Sequence, residues 1–236
     1  MGILDGVDVD NTIEGEEDRL GGANIIDSDV YNMVVDMAYL DVSKAGAKCV
    51  NFTFKGEGNI GFKQTIYFTN RAGQPYYERD GVKHYLPGFN QINAIALLTA
   101  GKPLTELATE EKVVMVYDYD ASEEVPVSKE ILMEVIGGKL KLGVLKTMEN
   151  KNKLVDSSYV PTNEMRTFNE VNKVFRQSDG QTITEIKAKA DIADFLPKWE
   201  DKWKGVDNNK FTPIEGAPAG GGQTASQPTP DKLFAE

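Results

Sequence analysis

Alternation dominates the first half of the chain. From Val30 to Leu40, residues Tyr31, Met33, Val35, Met37 and Tyr39 fall at every second position, and Val50, Phe52 and Phe54 repeat the spacing from Cys49 to Lys55. Period 2 gathers such residues on one face of a strand. A third alternating run, Phe62 to Arg71, follows the turn Gly56-Glu57-Gly58-Asn59, so the pattern predicts three strands in meander order. Turn residues at Arg71-Ala72-Gly73-Gln74-Pro75 and Arg79-Asp80-Gly81 then frame two short arms, Pro75 to Tyr77 and Val82 to Tyr85, as a hairpin. After Pro87-Gly88 the period changes. Phe89, Ile92, Ile95, Ala96 and Leu98 have helical spacing, and Gly101 with Pro103 ends the helix.

Further along, Lys112 to Tyr119 reads as a strand, Pro126 to Ile136 as a helix, and Lys139 to Thr147 as another strand. A polar loop is expected from Glu149 to Arg166, a pairing strand at Asn172 to Arg176, and a helix from Ala190 to Lys204 carrying Phe195, Leu196, Trp199 and Trp203. Three strands, a helix and two strands is the element order of an OB-type five-stranded barrel. The expected class is therefore mainly β with helices, α+β, elaborated by a hairpin and a C-terminal helix. Residues 1–28 read as a flexible acidic lead-in and 29–211 as the folded domain. Residues 212–236, with Ala-Gly-Gly-Gly and Gln-Pro-Thr-Pro, read as a flexible Gly/Pro-rich linker and tail.

Charge refines this division. The 37 acids against 26 bases leave a net charge of −11, yet residues 1–30 alone hold nine acids and one base. Residues 31–92 and 131–211, where most strands fall, are each mildly basic, which leaves room for a positive groove on an acidic protein.

Several chemistries drop out. One Cys (Cys49) and one His (His84) exclude a disulfide framework and zinc sites built from Cys and His. Apolar runs stop after about four residues, far short of the roughly 20 needed to span a bilayer. The start lacks a basic and apolar leader, so an intracellular protein is expected. Asp8-Val9-Asp10-Asn11-Thr12 fits the Asp-x-Asp-x-Thr pattern of haloacid-dehalogenase-like phosphotransferases, but no apolar strand precedes it, and strand and helix do not alternate downstream. Ile13 stands where an EF-hand loop starting at Asp8 needs Gly, and neither a phosphate loop nor a nucleophile elbow occurs. No enzyme, cofactor or metal is expected.

On the third strand, period 2 sets Phe62, Gln64, Ile66 and Phe68 against Lys63, Thr65, Tyr67, Thr69 and Arg71. The second set alternates cations with a ring, the composition that single-stranded nucleic acid requires. A solvated strand face of ordinary composition is the competing reading. Tyr76, Tyr77, Arg79, Lys83, His84 and Tyr85 repeat the interleaving in the hairpin, against the alternative of an aromatic cluster pinning it to the barrel. On the second strand Lys48 and Lys55 bracket Phe52 and Phe54, rings expected to pack inside, and Lys139, Lys141 and Lys146 on a later strand are expected to line the same groove.

The stretch Ala45-Gly-Ala-Lys-Cys-Val-Asn-Phe-Thr-Phe-Lys55, then Thr65-Ile-Tyr-Phe-Thr-Asn-Arg-Ala-Gly73 and His84-Tyr-Leu-Pro-Gly-Phe-Asn90, resembles the single-stranded-DNA-binding proteins of lytic bacteriophages. Gly137-Gly-Lys-Leu-Lys-Leu-Gly-Val-Leu145 and Asn169-Glu-Val-Asn-Lys-Val-Phe175 extend the likeness, which covers about residues 30–176. It implies an OB-fold protein without cofactor that coats single-stranded DNA in replication, recombination or repair, in the cytoplasm of the infected bacterial host. It also implies a C-terminal tail that contacts phage or host replication proteins, here through Leu233 and Phe234, although the last six residues hold only Asp231 and Glu236 as acids. The DNA-binding set expected is Lys48, Lys63, Tyr67, Arg71, Tyr76, Tyr77, Arg79, Lys83 and Tyr85. The rival class is a β-barrel interaction or virion-associated protein without a nucleic-acid role, its aromatics serving an interface.

Overall fold

Strands β1 (Asp29–Val42), β2 (Lys48–Gly56) and β3 (Gly61–Tyr67) form the expected antiparallel meander in the computed structural model, which describes residues 25–58, 60–118, 121–155 and 158–215. Cross-strand partners Ala38↔Phe52, Leu40↔Val50, Val50↔Ile66 and Phe54↔Phe62 align the apolar sets on one face. That face is the core: Val35, Ala38, Val50, Phe52, Phe54 and Ile66 are all buried. A hairpin of β4 (Tyr76–Arg79) and β5 (Val82–Tyr85) forms a two-stranded sheet of its own. Its Asp80-Gly81 turn has φ of 53° and 73°, as a tight hairpin turn demands.

Helix α1 (Pro87–Thr99) opens with Pro at its first turn and buries Ile92, Ile95 and Ala96 against the sheet. Gly88 lets the helix close onto the end of β3, because a Cβ there would stand 2.0 Å from the Tyr67 carbonyl oxygen. Only glycine fits that approach.

Two expectations are corrected next. Residues 126–136 are not a helix: β6 (Glu110–Asp118) and β7 (Glu123–Ile131) form a hairpin, followed by a 3-10 turn at Met133–Val135. Val125 and Val127 lie opposite Val116 and Val114, an alternation that β-branched residues favour. Nor is 149–166 a loop. Strands β8 (Lys139–Val155) and β9 (Ser158–Arg176) pair through that whole stretch, with Asn150↔Met165 and Val155↔Ser158 among the partners. Residues on both faces of this outer part are largely exposed, so no apolar alternation marks it.

β8 pairs with β1 through Met33↔Leu140 and Tyr31↔Leu142, so the strands run β9-β8-β1-β2-β3, and a short β10 (Asn208–Asn209) adds parallel to β8. Among the described residues β3 and β9 exchange no ladder bonds, and the sheet is not closed by backbone pairing. The Gln64 side chain spans the gap, its Oε1 accepting from Val171 N at 2.8 Å. The class is α+β, mainly β.

Helix α2 (Ile183–Lys187), absent from the sequence expectation, is started by a capping box of Thr182 and Glu185. Helix α3 (Phe195–Trp203) lies inside the expected 190–204 segment. Trp199 is buried with Leu145 and Phe175 in a second cluster, above Gly143, where a Cβ would come 2.8 Å from the indole Cε2. Its Nε1 donates to Asn172 Oδ1 at 2.7 Å. The folded part also reaches back past Asp29. Ile26 is buried, with its N–H and carbonyl both bonded to the Asn169 side chain. Asp8, Asp10, Leu233 and Phe234 lie outside the described residues, as does most of the two expected flexible segments. Among the described residues no helix is long and apolar enough to cross a membrane.

Candidate nucleic-acid interface

Directly opposite residues share a sheet face, so the register builds the outer surface row by row. One row reads Asp41, Cys49, Tyr67, the next Tyr39, Asn51, Thr65, and a third Met37, Thr53, Lys63. Beyond the register shift at Val35/Met37, Val34 stands between Lys139 and Lys55, and Asn32 faces Lys141. Cations thus collect at one end of the face and rings at the other.

The β6–β7 hairpin overhangs this floor. Ile131 pairs with Tyr39, and Lys129 Nζ reaches Asp41 at 2.8 Å, which ties down the end of the hairpin nearest β1. Glu124 reaches Lys63 at 3.8 Å at the other end. Between floor and overhang lies a groove of about 840 Å³, walled by Val113 to Tyr117 of β6.

Electrostatics of the outer face are mixed, and Asp36, Asp41 and Glu124 line the groove with Lys55 and Lys63. Lys55 pairs with Asp36 at 3.1 Å and Lys63 with Glu124, whereas Lys139 and Lys141 have no ion pair among the described residues. Burial, then Asp41 and Cys49, raises the Tyr39 phenol; burial, then Cys49 and Asp41, raises that of Tyr67. Burial pushes the Cys49 thiol up to about 11, Asp41 adding to it and Lys129 opposing. At neutral pH these groups stay uncharged. The rings are therefore neutral faces suited to stacking, and Cys49 is a buried, protonated thiol at neutral pH.

The expected residues divide. Lys63 and Tyr67 lie on the outer face, with Tyr67 50% exposed at the last position of β3. Because β3 stops there, the alternation does not carry on to Thr69 and Arg71. Thr69 is buried and its Oγ1 accepts from Lys48 N at 2.8 Å, while Arg71 sits in the turn that Asn70 organises by accepting from Ala72 N and Gln74 N. Lys48 has the parity of the core residues and lines an apolar depression with Phe68, Phe89 and Leu132, away from the groove. Lys146 is also elsewhere, bound to Asp27 and Asp207.

In the hairpin the rings meet one another. Tyr77 stacks on His84 with centroids 5.5 Å apart, Lys83 Nζ lies 4.6 Å from the Tyr76 centroid, and Arg79 pairs with Asp80. Tyr85 stacks on Phe89 of α1 at 4.5 Å, which pins the hairpin to the helix. The cluster reading describes this contact, and Tyr77 and Tyr85 remain 44% and 57% exposed.

Sequence reasoning missed Tyr39 and Asn51 on the floor and the whole β6 wall. Tyr39 alternates in a visible strand, so its face was readable, but its neighbours were not. Among the described residues no three His, Cys, Asp or Glu side chains are grouped to hold a metal ion. No protein-family model matches the chain, and no curated protein matches it either.

Proposed function

We propose that this chain is a non-catalytic single-stranded-DNA-binding protein that serves phage DNA replication, recombination or repair. The strand lies across the outer face of β1, β2 and β3, beneath the β6–β7 hairpin. The observation that carries the reading is the row structure of that face: Lys139, Lys141, Lys55 and Lys63 grouped at one end, Tyr39 and Tyr67 at the other, with Asn51 and Thr65 in the row of Tyr39. Lysines neutralise phosphates and neutral rings stack on unpaired bases.

Two further features support it. The order β9-β8-β1-β2-β3, with α1 following β3, agrees with an OB-type barrel, and Gln64 links the two strands whose pairing would complete closure. Outer strand faces overhung by a loop or arm are where such barrels take single strands. The resemblance along residues 30–176 points the same way. Lys55 and Lys63 exchange their carboxylate partners for phosphate on binding, so affinity falls steeply with salt.

The test is fluorescence anisotropy of a labelled oligo(dT) at low and near-physiological salt, with a duplex of equal length as competitor. Tight, salt-sensitive binding that duplex does not displace is expected. Absence of binding at low salt would remove the proposal. The exposed stripe of Val113 and Met115 on β6, 68% and 55% accessible, favours a second reading, a protein partner held by apolar contact. Such binding would change little with salt.

A further inference from the structure

A second concavity, of about 470 Å³, opens between α1, β9 and α2, and its lining contains no carboxylate. In a chain of net charge −11 that is a local inversion. Its cations are Lys173 and Lys187, neither of which has an ion pair among the described residues. The amides beside them are oriented. Asn93 Oδ1 accepts from Leu104 N at 2.9 Å, and Asn172 Oδ1 accepts from Trp199 Nε1 at 2.7 Å. Backbone and indole N–H groups only donate, so both oxygens are committed and both NH₂ groups are left without an acceptor among the described residues. The Glu185 carboxylate, nearby on α2, accepts from Thr182 N, Asp194 N and Phe195 N at 2.8 Å each and does not line the cleft.

Donors in excess, two unpaired cations and no acid fit an anion. We infer that this cleft binds phosphate esters, through Lys173, Lys187 and the amides of Asn93 and Asn172, and that it continues the path of the DNA strand beyond the outer face. The continuation rests on the proposed function. The register supplies the route: Lys141 lies opposite Phe175 and Gly143 opposite Lys173, so Lys141 and Lys173 are diagonal neighbours on one face, about 7–8 Å apart at the backbone. Phe175 and Gly143, between these two lysines, lie beneath Phe195 and Trp199 of α3, so a strand passing from Lys141 to Lys173 crosses that helix. Lys173 Nζ also stands 4.7 Å from the centroid of the Phe195 ring, which is 42% exposed, so a cation and a stacking face meet at the rim.

The experiment compares wild type with the double variant Lys173→Gln, Lys187→Gln on oligo(dT) of about 6 and about 16 nucleotides, lengths within the span of single barrels. Affinity for the longer strand is expected to fall about tenfold, its log–log salt slope to drop by about 1.4, and the shorter strand to bind unchanged. Equal losses on both lengths, or none on either, overturn the continuation. If wild type binds neither strand, the proposed function fails on its own, and the cleft is then tested with dAMP, read through Trp199 fluorescence since Asn172 joins that indole to the cleft. A dAMP signal lost in the variant makes a free nucleotide the source of the phosphate ester; no dAMP signal in wild type overturns the site.

Discussion

The outer face of β1–β3 and the β4–β5 hairpin carry the same kinds of side chain, cations interleaved with tyrosine, and dispose of them in opposite ways. In the hairpin, residues within ten positions of one another satisfy each other: Tyr77 on His84, Lys83 on Tyr76, Tyr85 on Phe89. On the sheet, the row Lys139, Val34, Lys55 draws on three strands far apart in sequence, and Tyr39 and Tyr67 are separated by the Asn51–Cys49 step. Local pairing uses up rings and cations. A register-built face spreads them, and its ion pairs run to carboxylates that a phosphate can replace. Composition alone does not tell a binding surface from a self-contained cluster; what matters is whether the partners come from the same short segment.

The sharpest break of this contrast is in affinity. Tyr39→Ala with Tyr67→Ala should weaken oligo(dT) binding by about 2–6 kcal/mol if each ring holds a base, measured by anisotropy. Tyr76→Ala with Tyr85→Ala should cost far less, and an equal loss would erase the distinction between the regions.

The joint between them is next. Gly88→Ala sets a methyl 2.0 Å from the Tyr67 carbonyl and should lower stability by about 1–3 kcal/mol in urea denaturation. An unchanged midpoint would mean that α1 does not seat on β3 as described.

The sheet face should also carry an alkaline signature. The Cys49 thiol rises from 9.0 to about 11 in the fold, so the native state holds that proton more tightly than the unfolded chain. Stability is then fully present below about pH 9 and declines as the pH climbs toward 11, by on the order of 2 kcal/mol. Cys49→Ala should flatten the stability profile over that window; a profile identical to wild type would assign the decline to other groups.

The smallest effect concerns the displaceable acids. Asp36→Asn with Glu124→Gln frees Lys55 and Lys63 and should raise affinity about two- to fivefold at low salt, as expected for exposed ion pairs. Weaker binding would mean that the carboxylates hold the lysines in place for DNA rather than compete with it.

Legibility followed the same division. The meander, the Asp-Gly hairpin and α1 were readable because each is signalled within about ten residues: period 2 with turn glycines, then period 3.6 after Pro87. Pro126 to Ile136 was misread as a helix because a short segment with few apolar positions fits either period, and pairing with β6 decided it as far as Ile131. The extended β8–β9 hairpin was misread because a strand exposed on both faces has no apolar alternation. Helix α2 was readable in principle from Thr182 and Glu185, three apart as a capping box requires, but it has few residues to carry a period.

For the candidate site, sequence by itself determined which side chains share a face within one strand, so Lys63, Thr65 and Tyr67 were grouped correctly, because alternation is a property of the single extended chain. Only the tertiary structure decided where that face ends, which residues extend it and what covers it. Thr69 and Arg71 left the face when β3 stopped at Tyr67, Lys48 went to the other side of the sheet, and Tyr39, Lys55 and Lys139 joined through a register that depends on a shift between Val35 and Met37. Register and strand ends are set by packing between segments distant in sequence, and that energy is not written in the periodicity of any one of them.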